Sequence, residues 1–212
     1  MIEFSYRLDA GPDASRLLVL LHGYGSNHHN IASIIPMVDP DGRFVTVSPL
    51  APITVAGGGA SWYEFDQSWR ADRDSFNETL DALSTFVDTM CARFGFDPAD
   101  SILGGFSQGA GMAAWLAFDG RSTAAAGFWC CGTVVDVDGQ SLDLADARGS
   151  EVLILAGLSD PNVPLERNRA QARRFELAGA HTTVSEHEGG HGLGHGMLKD
   201  MNRWLSEIPP PA

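Results

Sequence analysis

Residues 102–113 read Ile-Leu-Gly-Gly-Phe-Ser-Gln-Gly-Ala-Gly-Met-Ala, an apolar run that passes through a glycine-flanked serine, Ser107, into a stretch of small residues. A serine hydroxyl becomes a nucleophile when a tight strand-to-helix turn holds it exposed at its tip and a base stands within reach. The spacing Gly105-x-Ser107-x-Gly109 suits that turn, because the backbone on either side of the tip must pass without side chains. The helix that follows aims its unpaired N–H groups and the positive end of its dipole at the place where an oxyanion would form. Ala110, Ala113, Ala114 and Ala117 recur at spacings that let such a helix pack closely on a sheet.

A base and an orienting acid are expected further along. Where a serine of this kind sits on an α/β sheet, the chain order is Ser, then Asp or Glu, then His. The apolar run 152–156 leads into Gly157-Leu-Ser-Asp160-Pro-Asn-Val-Pro164, a proline-fixed loop at the carboxyl end of a strand, where open α/β sheets place their site residues. Asp160 is the expected acid. The run 182–185 leads to Glu188-Gly-Gly-His191-Gly192, and His191 is the expected general base. It would take the proton from Ser107 while Asp160 fixes the imidazole tautomer and stabilises the imidazolium. On sequence alone His195 competes for the role of base. His187, His191 and His195 would also share one face of a helix and offer a metal site. The interleaved glycines 189, 190, 192, 194 and 196 each cost a helix about 1 kcal/mol relative to Ala. The stretch therefore reads as a loop, with no metal and no cofactor expected.

The amino-terminal third supplies a second half for an oxyanion site. Residues 16–21, Arg-Leu-Leu-Val-Leu-Leu, form the near-continuous apolar run of a strand buried on both faces, and they end in His22-Gly-Tyr-Gly-Ser-Asn27. Such a turn can present backbone N–H groups inward. The expected oxyanion donors are the backbone N–H of Tyr24 and of Gln108, the residue after the nucleophile. His22 reads as a structural histidine tying this loop down, and His28 and His29 as solvated first-turn residues.

Four segments, in order along nearly the whole chain, resemble the phospholipase/carboxylesterase family of small serine esterases, which includes the acyl-protein thioesterases. They are Leu-Leu-His-Gly-Tyr-Gly-Ser-Asn at 20–27, Ser-Trp-Tyr at 61–63, Asp-Pro-Ala-Asp-Ser-Ile-Leu-Gly-Gly-Phe-Ser-Gln-Gly at 97–109, and Gly-Leu-Ser-Asp-Pro-Asn-Val-Pro at 157–164 with Gly-Gly-His-Gly at 189–192. The resemblance implies an α/β-hydrolase fold, a triad at Ser107, Asp160 and His191, and oxyanion donors at Tyr24 and Gln108. Ala110 stands where the family usually has a second glycine, and Gly192 where a serine often follows the histidine. Cys131-Gly132 occupies the place of a Ser-Gly pair, and the Trp-Tyr-Glu-Phe-Asp stretch at 62–66 is longer than the family's short aromatic-acid motif.

The elements that must position these residues follow from patterning. Strands are expected near 2–8, 16–22, 43–48, 100–106, 123–131, 151–156 and 181–186, with helices near 27–36, 74–94, 107–118, 165–178 and 193–206. That alternation implies a mostly parallel central sheet covered by helices on both faces. Phe76, Leu80, Leu83, Val87, Met90 and Phe94 recur at alternating spacings of four and three, the packing stripe of one helix. The 212 residues suit a single catalytic domain spanning 1–212. A net charge of −13 disfavours nucleic acid and stable adsorption to anionic membranes. Neither a leader peptide nor a membrane span is apparent, and three cysteines, Cys91, Cys130 and Cys131, make no disulfide framework. A cytoplasmic protein is expected, with a homodimer as a base-rate alternative to a monomer.

Specificity is expected in the connection 49–73, which holds three consecutive glycines followed by Trp62, Tyr63, Phe65 and Trp69. These aromatics either wall an acyl pocket over Ser107 or cover the edge of the core. The expected activity is hydrolysis of carboxylic esters, with thioesters as an extension, of small or medium acyl groups through an acyl-enzyme. The alternatives are an acyl-protein thioesterase or lysophospholipase acting on long chains, and a hydrolase-fold binding module without turnover.

Overall fold

The structure is a computed structural model that describes residues 2–65, 70–121 and 124–211. Along the chain it forms β1 (Tyr6–Ala10), β2 (Arg16–Leu21), α1 (His28–Ala32), α2 (Ile35–Val38), β3 (Phe44–Pro49), β4 (Ile53–Thr54), β5 (Ala60–Ser61) and α3 (Arg73–Phe94). There follow β6 (Ile102–Phe106), α4 (Gln108–Phe118), β7 (Ala126–Cys130), β8 (Glu151–Gly157), α5 (Leu165–Ala178), β9 (His181–His187) and α6 (His195–Glu207). Seven strands make one sheet in the order β1-β3-β2-β6-β7-β8-β9, with β1 antiparallel to β3 and the other neighbours parallel. This is the expected α/β-hydrolase architecture, a mostly parallel sheet between two helical layers.

The unbroken apolar run of β2 is explained by its place near the middle of the sheet. Successive side chains point to opposite faces, so Leu17, Val19 and Leu21 join the apolar cluster under α3, α4 and α5, while Leu18 and Leu20 join the one under α1, α2 and α6. Phe76, Leu80, Leu83, Val87 and Met90 form the buried stripe of α3. That helix starts where Asp72 accepts the N–H of Ser75 at 2.9 Å and stops at Gly95, in the left-handed region at φ 75°.

Three expected elements differ in detail. The strand expected over 2–8 runs from Tyr6 to Ala10, in antiparallel register with β3 from Pro49 opposite Tyr6 to Val45 opposite Ala10. The helix expected over 27–36 splits into α1 and α2, since Pro36 cannot donate to the turn before it. The connection 49–73 holds a two-stranded hairpin, β4 with β5, turned at Gly57-Gly58. The hairpin lies on the loop after β2, where Gly25 donates to Ala60 O and Ala60 to Ser26 O, both at 2.9 Å. A Cβ on Gly59 would overlap the carbonyl of Gly25, so this close approach requires glycine.

Candidate active site

The carboxyl ends of β6, β8 and β9 converge on Ser107. At the end of β6 the chain turns directly into α4, and Ser107 at that turn has φ 54° and ψ −114°. An L-residue there is strained, and the surroundings must hold it in place. The Ser107 N–H donates to Cys130 O at 2.9 Å, which ties the turn to β7. A Cβ on Gly105 would run into the backbone of Gly109, and one on Gly109 into the carbonyls of Leu21 and His22. Glycine at both positions is what lets the serine stand at the tip.

Asp160 follows β8 in a turn that its own carboxylate closes: Oδ1 accepts the N–H groups of Asn162 at 2.8 Å and Val163 at 2.9 Å. Oδ2 lies 2.8 Å from His191 Nδ1, and the carboxylate is fully buried. Burial alone would raise this carboxyl, but the N–H of Val163, the ring of His191 and the N–H of Asn162 outweigh it and hold it below the ordinary aspartate range. The His191 loop is fastened to the end of β8, with Leu158 donating to His187 O at 2.8 Å and Ser159 to Gly189 O at 2.9 Å. His191 Nε2 stands 2.8 Å from Ser107 Oγ, and its ring packs on Phe106 at 5.1 Å between centroids. An ionised Asp160 accepts the hydrogen bond of Nδ1–H, leaving Nε2 to accept from the serine hydroxyl.

The three histidines spaced four apart fall in three different settings. His187 ends β9, with Nε2 3.0 Å from Ser185 Oγ and 3.1 Å from Asp200 Oδ2. His191 lies in the loop, and His195 is the exposed first residue of α6. The structure brings His191 to Ser107.

The loop after β2 forms the other wall. A Cβ on Gly23 would meet Phe106 Cδ1 at 2.9 Å and Ser107 Cβ at 3.4 Å, so this loop rests directly on the turn. Among the described residues the backbone N–H groups of Tyr24 and Gln108 have no hydrogen-bond partner, and both residues line a cleft with Ser107 and His191. His22 holds the loop, as expected: Nδ1 donates to Gly23 O at 2.8 Å and Nε2 accepts from Ala51 N at 3.1 Å.

The cleft measures about 700 Å³. Tyr63 and Phe65 line it, with their rings 5.3 Å apart and Phe65 also 5.6 Å from Tyr24. Burial pushes the Tyr63 phenol up. Trp62, expected beside them, is not part of the lining. Its ring is wholly buried, with Nε1 donating to His22 O at 2.7 Å, so it packs beneath the loop as core. Trp69 lies outside the described residues.

Two features escaped the sequence reading. The Gln108 side chain, 6% exposed, accepts the N–H of Trp62 at 3.1 Å through Oε1 and donates to Ser61 Oγ at 2.8 Å through Nε2. It clamps the 61–63 segment to α4, the helix that follows Ser107. Its signal is a long polar side chain opening an otherwise apolar helix. Cys131, at φ 48°, sets its Sγ 3.7 Å from the carbonyl oxygen of Gly192, the residue after His191, and burial pushes its thiol up to about 11.

The sequence profile of the phospholipase/carboxylesterase family matches residues 9–208. The chain belongs to that family. Its members are hydrolases of the α/β-hydrolase fold that act on carboxylic esters. MhqD of Bacillus subtilis, provisionally named a hydrolase, is 27% identical over 194 residues, covering 92% of this chain and 94% of its own. The crystal structure of esterase PE8 is similar with a TM-score of 0.84 at 25% identity, over 98% of this chain and all of that one. A carboxylesterase of Bacillus cereus superposes with a TM-score of 0.85 at 22% identity, over 97% and 94% of the two chains, a likeness of fold. No helix among the described residues is long and apolar enough to cross a membrane.

Proposed function

We propose that this ester hydrolase works by acyl transfer to Ser107, with His191 as general base and Asp160 as the group that orients it. The observation that carries the reading is the unbroken line from Asp160 Oδ2 through His191 to Ser107 Oγ, two contacts of 2.8 Å ending on a strained serine. As Oγ attacks the ester carbonyl, its proton passes to His191 Nε2, and the buried Asp160 carboxylate stabilises the resulting imidazolium. The carbonyl oxygen gains charge and is met by the N–H groups of Tyr24 and Gln108. His191 then returns its proton to the departing alkoxide, leaving an acyl-serine. Water attacks that ester by the same route, with His191 taking its proton, and frees the acid and the enzyme.

Small or medium acyl groups fit best. The cleft volume is in the ordinary range for small-molecule sites, and Tyr63 and Phe65 offer aromatic walls beside the serine. Hydrolysis of p-nitrophenyl esters of increasing chain length tests both parts. The expected profile peaks at short to medium chains and vanishes in Ser107→Ala. Activity that survives this substitution refutes the nucleophile, and a peak at palmitoyl length refutes the acyl size.

A further inference from the structure

We propose that the cleft is built for esters bearing a second, anionic group, a carboxylate, and that Arg167 together with Arg70 recognises it. The inference rests on the reading of Ser107 as nucleophile and names the class of substrate brought to it. Both residues line the cleft that holds Ser107 and His191. That placement stands out in a chain with 14 Lys and Arg against 27 Asp and Glu. Among the described lining residues Asp136 is the one carboxylate against two arginines, a balance opposite in sign to that of the chain as a whole. The Asp160 charge lies behind His191, fully buried and satisfied by two backbone N–H groups.

Arg167 has no acidic partner among the described residues. Two positions along the same helix, Arg169 is engaged by Glu186 at 2.8 Å and Glu166 at 3.0 Å, and Arg43, Arg121 and Arg203 each find an aspartate. The difference is one of placement. The turn that Asp160 closes on Asn162 and Val163 ends at Pro164, where α5 begins, and the first turn of that helix carries Arg167 into the cleft. The segment that orients the acid therefore also delivers the cation. Arg70 lies 3.2 Å from Asp138 in a pair exposed on both sides. Such a pair is weak in water, and an incoming carboxylate can share the guanidinium. A guanidinium matches the two oxygens of a carboxylate in a planar fork.

Steady-state kcat/KM for matched esters tests this. One pair is mono-p-nitrophenyl glutarate against p-nitrophenyl pentanoate, which places the anion on the acyl end. The other is meta-carboxyphenyl against meta-carbamoylphenyl pentanoate, which places it on the leaving group. The wild type is expected to prefer the anionic member of one pair by about tenfold, and the pair in which the preference falls locates the anion. Arg167→Gln should bring that ratio to about one, Arg70→Gln should lower it, and Arg167→Lys should keep part of it, because charge remains without the fork. Rising salt should shrink it. Ratios at or below one in both pairs, or a preference that both glutamine variants leave intact, overturn the inference while the nucleophile assignment stands. Failure of that assignment reads differently: the neutral esters are then cleaved equally by Ser107→Ala. Binding of glutarate itself, followed by calorimetry and expected to be lost in Arg167→Gln, reads the anion site without turnover. Equal binding to both proteins counts against it.

Discussion

Two loops at the same edge of the sheet each carry a histidine, and the two rings differ in what their second nitrogen meets. In the loop after β2, His22 is 1% exposed and spends both nitrogens on backbone, Gly23 O and Ala51 N. In the loop after β9, His191 places one nitrogen on a buried carboxylate and the other on a serine hydroxyl, with its side chain 18% exposed. The first ring is saturated and fixed. The second has an oriented, basic nitrogen facing a cleft. If His191 is the base proposed above, the partners of a histidine at a strand end decide whether it serves structure or chemistry, and the same substitution at the two sites should have opposite consequences.

The largest expected effect is His191→Leu, which should lower kcat/KM for a short p-nitrophenyl ester by a thousandfold or more, with a smaller loss of stability, because Asp160 keeps its two backbone N–H partners. Replacing Asp160 by Asn should come close to it in size, because an amide no longer favours the tautomer that accepts from Ser107. Steady-state kinetics and a melting curve on each variant read both quantities. His22→Leu should invert the pattern. It leaves the Ala51 N–H and the Gly23 carbonyl buried without partners, at a cost of about 1–3 kcal/mol in chemical denaturation, with activity reduced less than about tenfold. If His22→Leu proves as inactive as His191→Leu at full stability, the division between the loops collapses.

A smaller effect sharpens the contrast from the neighbouring aromatics. Trp62→Phe removes the bond to His22 O and should cost about 1 kcal/mol without moving the chain-length profile. Phe65→Ala, at the cleft, should shift that profile and barely change stability.

The smallest effect is in pH. Burial holds His22 below its ordinary value, with the carbonyl of Gly23 opposing and the His28 charge assisting. The unfolded chain therefore binds a proton at His22 that the fold refuses, and stability falls as pH drops below about 6.5. His28 is lowered as well, by burial and by the charges of His29 and Arg7, and adds to that slope. The slope of stability against pH between about 5 and 6.5 should be shallower in His22→Leu. Asp160 acts in a separate, more acid window. Its depressed folded pKa supplies stability that is present above about pH 4 and lost as pH falls toward the folded value.

How far the sequence revealed this molecule depends on what each residue answers to. Strands and helices were legible because burial on two faces or one leaves a period in the residue types, as in β2 and α3. The line Ser107, Asp160, His191 was legible because each residue sits just beyond an apolar run, and strand ends in such a sheet face one edge. His195 remained a rival only because glycine-rich chain carries no periodicity to say where a helix begins. The side chains of the 49–73 connection were not legible. Trp62 and Phe65 are both aromatic and three positions apart, and only the Gln108 clamp and the hairpin decide that one is core and the other cleft. The place of Arg167 in the cleft was also out of reach, since it depends on where the Asp160 turn points α5.

The most direct test of the central claim is the rate at which a fluorophosphonate labels four proteins, followed by intact mass and peptide mapping. The expected result is a single adduct on the peptide holding Ser107, formed at near wild-type rate in His22→Leu, strongly slowed in His191→Leu and absent in Ser107→Ala. Labelling that persists in Ser107→Ala, or that depends on His22 rather than His191, would contradict it.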